Sequence, residues 1–121
     1  MAKIVILEDD HILLDLYSTV LENAGYSTFP ATTLKAVQTY FEDQMADLII
    51  ADLRLGATLP EQTVKILETI QQVHQIPAVL ISAKMTFYED MCREAGFEHL
   101  LKKPFRNGVL VEKAQELISD S

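Results

Sequence analysis

Short, continuously apolar runs alternating with longer stretches of three-to-four-residue apolar rhythm constrain this chain more than any other feature. The runs are "KIVIL" (3–7), "YSTF" (26–29), "DLIIA" (47–51), "AVLIS" (78–82) and "HLLK" (99–102). Runs one, three and four do not alternate apolar with polar, the pattern of parallel strands covered on both faces. Runs two and five carry polar residues and suit sheet edges.

The intervening segments predict amphipathic helices. After the first run, Leu13, Leu16, Tyr17, Val20, Leu21 and Ala24 form one stripe, with Asp10 as N-cap and Gly25 at the C-terminal end. Thr32 or Thr33 caps a second helix whose inner face is Leu34, Val37, Tyr40 and Phe41. A third begins at Pro60, uses Val64, Leu67, Ile70 and Val73, and stops at "QIP". The fourth carries Phe87, Tyr88, Met91, Cys92 and Ala95 as core and ends at Gly96, and the fifth uses Leu110, Ala114, Leu117 and Ile118.

Strict strand–helix alternation implies right-handed crossovers, hence an α/β fold: a doubly wound, five-stranded parallel sheet with helices on both faces. Edge-like second and fifth strands suit the order 2-1-3-4-5. The functional crevice of such a sheet lies beyond the C-terminal strand ends, near the switch between strands one and three. With 121 residues and no Pro-rich or Gly/Ser-rich interior, one domain spanning 1–121 is expected, ending in "SDS" with no appended module.

Composition removes several function classes. A net charge of −8 argues against direct nucleic-acid binding, because phosphate neutralisation needs clustered Lys and Arg. The apolar start of "MAKIVILEDD" is too short for a signal peptide core or a membrane span, so a cytoplasmic protein is expected. The single cysteine, Cys92, rules out an internal disulfide and a CxxC metal framework, and reads as a small buried apolar group. His11, His74 and His99 have no ligand spacing and read as surface groups.

The candidate chemistry lies at the strand ends. The first strand runs into Glu8, Asp9 and Asp10 and the third into Asp52, so in adjacent strands about 4.8 Å apart these acids meet at one rim. Like charges that close raise each other's pKa unless something offsets them. A divalent cation does so, and a few carboxylates with an open remaining sphere suit Mg²⁺. Ser82 and Lys103 end strands four and five on the same side. Carboxylate, hydroxyl and ammonium together suit attack of a carboxylate on a phosphoryl group.

In "ILEDD", "LIIADLRL", "VLISA" and "LLKKPF", with about 43 residues from Asp9 to Asp52 and about 30 more to Ser82, the chain resembles the receiver domain of two-component response regulators over essentially its full length. The resemblance implies a flavodoxin-like sheet of the order given above. It implies that Asp52 accepts a phosphoryl group from a histidine kinase or phosphotransfer protein, with Asp9 a direct Mg²⁺ ligand, Glu8 acting through water and the Arg54 backbone carbonyl completing the protein's share. Ser82 then matches the switch hydroxyl, Lys103 the phosphoryl-pairing lysine, and Pro104 follows a cis peptide. Such a domain is a signalling switch whose catalysis is confined to its own phosphorylation and dephosphorylation. Partners are expected on the first helix, and output on the fourth helix, fifth strand and fifth helix.

Three departures stand out. Leu100 occupies the place of the family's aromatic switch residue, so output has to run through Ser82 and the backbone around the fourth helix. "LRLGATLPEQ" replaces the usual Pro and Gly pattern after Asp52. Arg54 and Lys84, two residues beyond Asp52 and Ser82, are both cationic, and either shield the phosphoryl group from hydrolytic water or point into solvent. An aspartate-nucleophile hydrolase would want an acid where Arg54 stands, and a flavin module would want a phosphate loop where "EDDHILL" repels anions. The remaining alternative is a pseudo-receiver, an unphosphorylated interaction module on the same fold.

Overall fold

The computed structural model describes residues 1–118. Ten elements alternate without exception: β1 Lys3–Leu7, α1 His11–Asn23, β2 Ser27–Ala31, α2 Leu34–Asp43, β3 Leu48–Asp52, α3 Pro60–His74, β4 Ala78–Ser82, α4 Met85–Glu94, β5 His99–Lys102 and α5 Asn107–Leu117. The strands form one parallel sheet in the order β2-β1-β3-β4-β5, with the polar-bearing runs at the edges as expected and the inner order the one the resemblance implies.

Because successive strand residues face opposite sides, the apolar runs feed two cores. Val5, Leu7, Ile49, Ala51, Ala78 and Leu80 pack under α2, α3 and α4 with Val37, Phe41, Leu67 and Cys92. Ile4, Ile6, Leu48, Ile50, Val79 and Ile81 pack under α1 and α5 with Leu14, Tyr17, Leu21, Leu110 and Ala114. This two-sided burial is why β1, β3 and β4 read as unbroken aliphatic runs. β2 lies one residue later than "YSTF" at its start and extends to Ala31, taking in the exposed Pro30, which an edge strand tolerates because its outer side has no ladder to join.

Caps fix the helix starts. Asp10 Oδ1 accepts hydrogen bonds from the backbone N–H of Ile12 (2.9 Å) and Leu13 (3.2 Å), and Thr33 Oγ1 accepts from Ala36 N–H (3.1 Å). Pro60 opens α3, and the side chain of Gln62 accepts the Leu59 N–H at 3.1 Å. α1 is capped by Ala24 and turns at Gly25, whose φ of 100° is open to glycine and costly for other residues.

Three expected core faces are rotated. On α1 the buried stripe is Leu14, Tyr17, Ser18 and Leu21, while Leu16 and Ala24 are exposed. On α3 the seam passes from Ile70 to His74, whose ring lies 5.0 Å from that of Phe41, and Val73 faces outward. His74 and His99 are half-buried rather than fully on the surface. On α4 Met85 and Cys92 are buried, Tyr88 and Met91 half-buried, and Phe87 is 80% exposed. Each apolar set offers two stripes three or four residues apart, and the angle at which the helix meets the sheet selects between them. The expected "SDS" ending, 119–121, lies outside the described residues.

Candidate functional site

Strand register builds the site. Leu7 is paired with Ala51, Asp52 with Ile81, and Ser82 with Lys102, so Glu8, Asp52, Ser82 and Lys103 leave the sheet at one C-terminal rim. Glu8, Asp52 and Lys103 bound a cavity of about 380 Å³ to which Asp9, Asp10, Leu13, Arg54, Gly56 and Ala83 also contribute.

Lys103 ties the rim together. Its Nζ donates to Glu8 Oε1 at 2.8 Å and also pairs with Asp52 Oδ2. Both carboxylates are almost fully enclosed, Glu8 2% and Asp52 4% exposed. The peptide bond to Pro104 is cis, as the resemblance implied, and Phe105 packs beside Tyr17 with ring centroids 5.8 Å apart, anchoring the segment that carries the lysine.

Electrostatics follow from enclosure. Burial raises the Glu8 carboxyl above its ordinary pKa; the Lys103 hydrogen bond opposes that and the charge of Asp52 adds to it, leaving the value raised. Burial works against the Lys103 ammonium, yet its hydrogen bonds to Asp52 and Glu8 and their negative charges prevail and hold its pKa above the ordinary lysine value. Tyr17 is also raised, first by burial.

The remaining carboxylate oxygens are oriented by backbone donors. Arg54 N–H donates to Asp52 Oδ1 at 2.7 Å, Asp10 N–H to Glu8 Oε2 at 3.2 Å, and Gly56 N–H to Asp9 Oδ2 at 2.9 Å. The last bond escaped the sequence reading. It depends on a turn in which Leu55 and Thr58 form an antiparallel bridge and Gly56 takes φ 56°, and the only trace in the sequence is a glycine inside a departing loop.

Not every candidate reaches the cavity. Ser82 is fully buried, and its Oγ accepts the Lys84 N–H at 3.0 Å; its neighbour Ala83 lines the cavity instead. Arg54 and Lys84 are both exposed; Arg54 belongs to the lining and Lys84 lies outside it. Leu100 is half-buried against the α2–α3–α4 core.

Among the described residues, no group of three or more His, Cys, Asp or Glu side chains is placed to hold a metal ion. The Lys103 ammonium supplies the positive charge between Glu8 and Asp52. The donors facing the cavity are nonetheless hard oxygens, a chemistry that fits Mg²⁺ and excludes a thiolate or imidazole site.

A doubly wound parallel sheet with acids, a lysine and a nearby hydroxyl gathered at the C-terminal end of its central strands defines a receiver-type α/β domain. The family model for the response regulator receiver domain matches residues 4–115, and the chain belongs to that family. It is 23% identical over 120 residues to the polar-differentiation response regulator DivK of Brucella abortus, covering 98% of each chain. It is 27% identical over 114 residues to the regulatory protein VanR of Enterococcus faecium, covering 93% of this chain and 48% of VanR, so it spans about half the length of that relative. A response regulator from Thermotoga maritima superposes with a TM-score of 0.85 at 20% identity, covering 99% of both chains. The fold, strand order and family expected from the sequence therefore hold. Among the described residues no helix is long and apolar enough to cross a membrane.

Proposed function

We propose that this domain is a cytoplasmic phosphoryl-accepting switch in which Asp52 takes the phosphoryl group of a phosphohistidine on a histidine kinase or phosphotransfer protein. The observation that carries the reading is the enclosed ion-paired set Glu8–Lys103–Asp52 at the C-terminal rim. A carboxylate oxygen of Asp52 forms the new P–O bond while the P–N bond to the donor imidazole breaks and its electron pair returns to the ring nitrogen. Lys103, already on Asp52, pairs with the phosphoryl oxygens as charge builds on them. The carboxylates of Asp9 and Asp52 and the carbonyl of Arg54 would hold Mg²⁺, with Glu8 acting through water, and the ion would add positive charge at the transferring group. Gly56 N–H keeps the Asp9 carboxylate turned to that purpose. Ser82 reaches the phosphoryl group by leaving the Lys84 N–H, which couples the chemistry to the start of α4.

The pseudo-receiver is the second reading, favoured by one observation: the Ser82 hydroxyl is turned into the backbone, accepting the Lys84 N–H. Incubation with acetyl phosphate and Mg²⁺, followed by intact mass measurement, separates the two. The expected result is one added phosphoryl group, lost in Asp52→Ala and on chelation of Mg²⁺. An unmodified wild-type chain, or a modified Asp52→Ala variant, establishes the pseudo-receiver or another acceptor.

A further inference from the structure

At the other end of the sheet from the acidic rim, a cavity of about 520 Å³ opens between β2 and the C-terminal half of α2. Its volume falls within the span of small-molecule sites, about 300–1,000 Å³. One wall is aromatic: the rings of Phe29 and Tyr40 lie 4.5 Å apart and tilted by 56°. The Tyr40 hydroxyl is already committed, donating to the Met45 carbonyl at 2.7 Å, so this residue presents its ring rather than its polar tip.

The charged groups of the lining are uncommitted. Lys3 stands at the start of β1 and Asp43 at the end of α2, and both line the cavity, while outside the lining Asp47 Oδ2 accepts the Lys3 backbone N–H at 2.8 Å and places a second carboxylate near that end. Among the described residues neither side chain forms an ion pair, with the other or with any neighbour. Two opposite charges that border one cavity without reaching each other leave room between them for a molecule charged at both ends. Asp43 is not alone on its side: the last turn of α2 has no basic residue, so the negative end of the helix dipole adds to the carboxylate and favours a cation there. Thr39 and Gln44 add hydrogen-bonding groups to the same lining.

We propose that this cavity binds a small zwitterionic aromatic molecule of about amino-acid size. Its ammonium group meets Asp43 and the C-terminal end of α2, its carboxylate meets Lys3, and its ring lies against Phe29 and Tyr40.

Titration of the full chain with L-tryptophan, tryptamine and indole-3-propionate, followed by backbone amide NMR, tests this with a probe carrying both charges, the cation alone or the anion alone. L-tryptophan is expected to shift resonances of residues 27–31 and 36–44, and each single-charge probe to bind about tenfold more weakly. Lys3→Met removes the advantage of L-tryptophan over tryptamine, and Asp43→Asn its advantage over indole-3-propionate. Absence of shifts in those segments, equal binding of the three probes, or shifts confined to the acidic rim overturns the proposal. The probe series on the unsubstituted chain decides the matter even where a variant perturbs folding.

Discussion

Lys103 holds two enclosed carboxylates with one ammonium, and its removal leaves Glu8 and Asp52 facing each other without a counter-charge. Breaking a buried pair costs more than the pair contributes, so Lys103→Met is expected to lower stability by about 3 kcal/mol in urea unfolding without divalent ions. The raised pKa values give opposite ends of the pH scale a signature. The folded value of Lys103 lies above the ordinary one, so its contribution is full below pH 10.5 and is lost as pH rises through the folded value. Glu8 is raised as well, so the folded state binds its proton more tightly and stability from this group falls as pH rises from 4.5 through the folded value. Glu8→Gln therefore flattens the stability profile just above pH 4.5, measurable by urea midpoints across pH. Arg54 carries a kinetic prediction within the proposed function. It lines the cavity and Lys84 does not, so Arg54→Asn is expected to account for most of any shortening of phosphoryl lifetime in the Arg54→Asn, Lys84→Glu double variant. An unchanged lifetime in that double variant removes the shielding role.

At the scale of elements, α1 and α4 show what periodicity reads well and where it stops. Asp10 is the N-cap that its place before the apolar rhythm implied, and Asp10→Ala is expected to cost about 1 kcal/mol, seen as a lower melting temperature. In α4 the side chains separate sharply. Met85→Ala is expected to cost about 2–4 kcal/mol through the cavity it leaves, whereas Phe87→Ser stays within about 0.5 kcal/mol, because Met85 is 5% exposed and Phe87 80%. Denaturant midpoints of the two variants check this pair. Strand positions were legible to within about two residues because parallel burial demands unbroken aliphatics. The inward stripe of α1, α3 and α4 was not, since Leu16, Val73 and Phe87 are at least as apolar as inward residues such as Ser18 and His74. Only the docking angle on the sheet tells such neighbours apart.

For the whole molecule, the sheet separates two cores and delivers its acids, hydroxyl and lysine to one rim, where Asp52 pairs with Ile81 of β4, the strand that leads into α4. With Leu100 in place of an aromatic switch, the proposed output runs through Ser82 and the Lys84 N–H that it accepts. Addition of beryllofluoride as a phosphoryl mimic is expected to shift backbone amides across residues 83–100; no change there removes this route. Strand–helix alternation determined the fold class, because it imposes right-handed parallel crossovers, and the four strand-end motifs, through the resemblance they carry, gave the strand order, the family and the meeting of Glu8, Asp52 and Lys103 at one rim. Tertiary structure alone decided that Lys103 bridges both carboxylates, that Ser82 turns into the backbone, that Gly56 orients Asp9 and that Lys3 and Asp43 flank a cavity without pairing. Those outcomes depend on side-chain rotamers and loop geometry between residues distant in sequence, where a difference of a few ångströms settles which partner an atom finds.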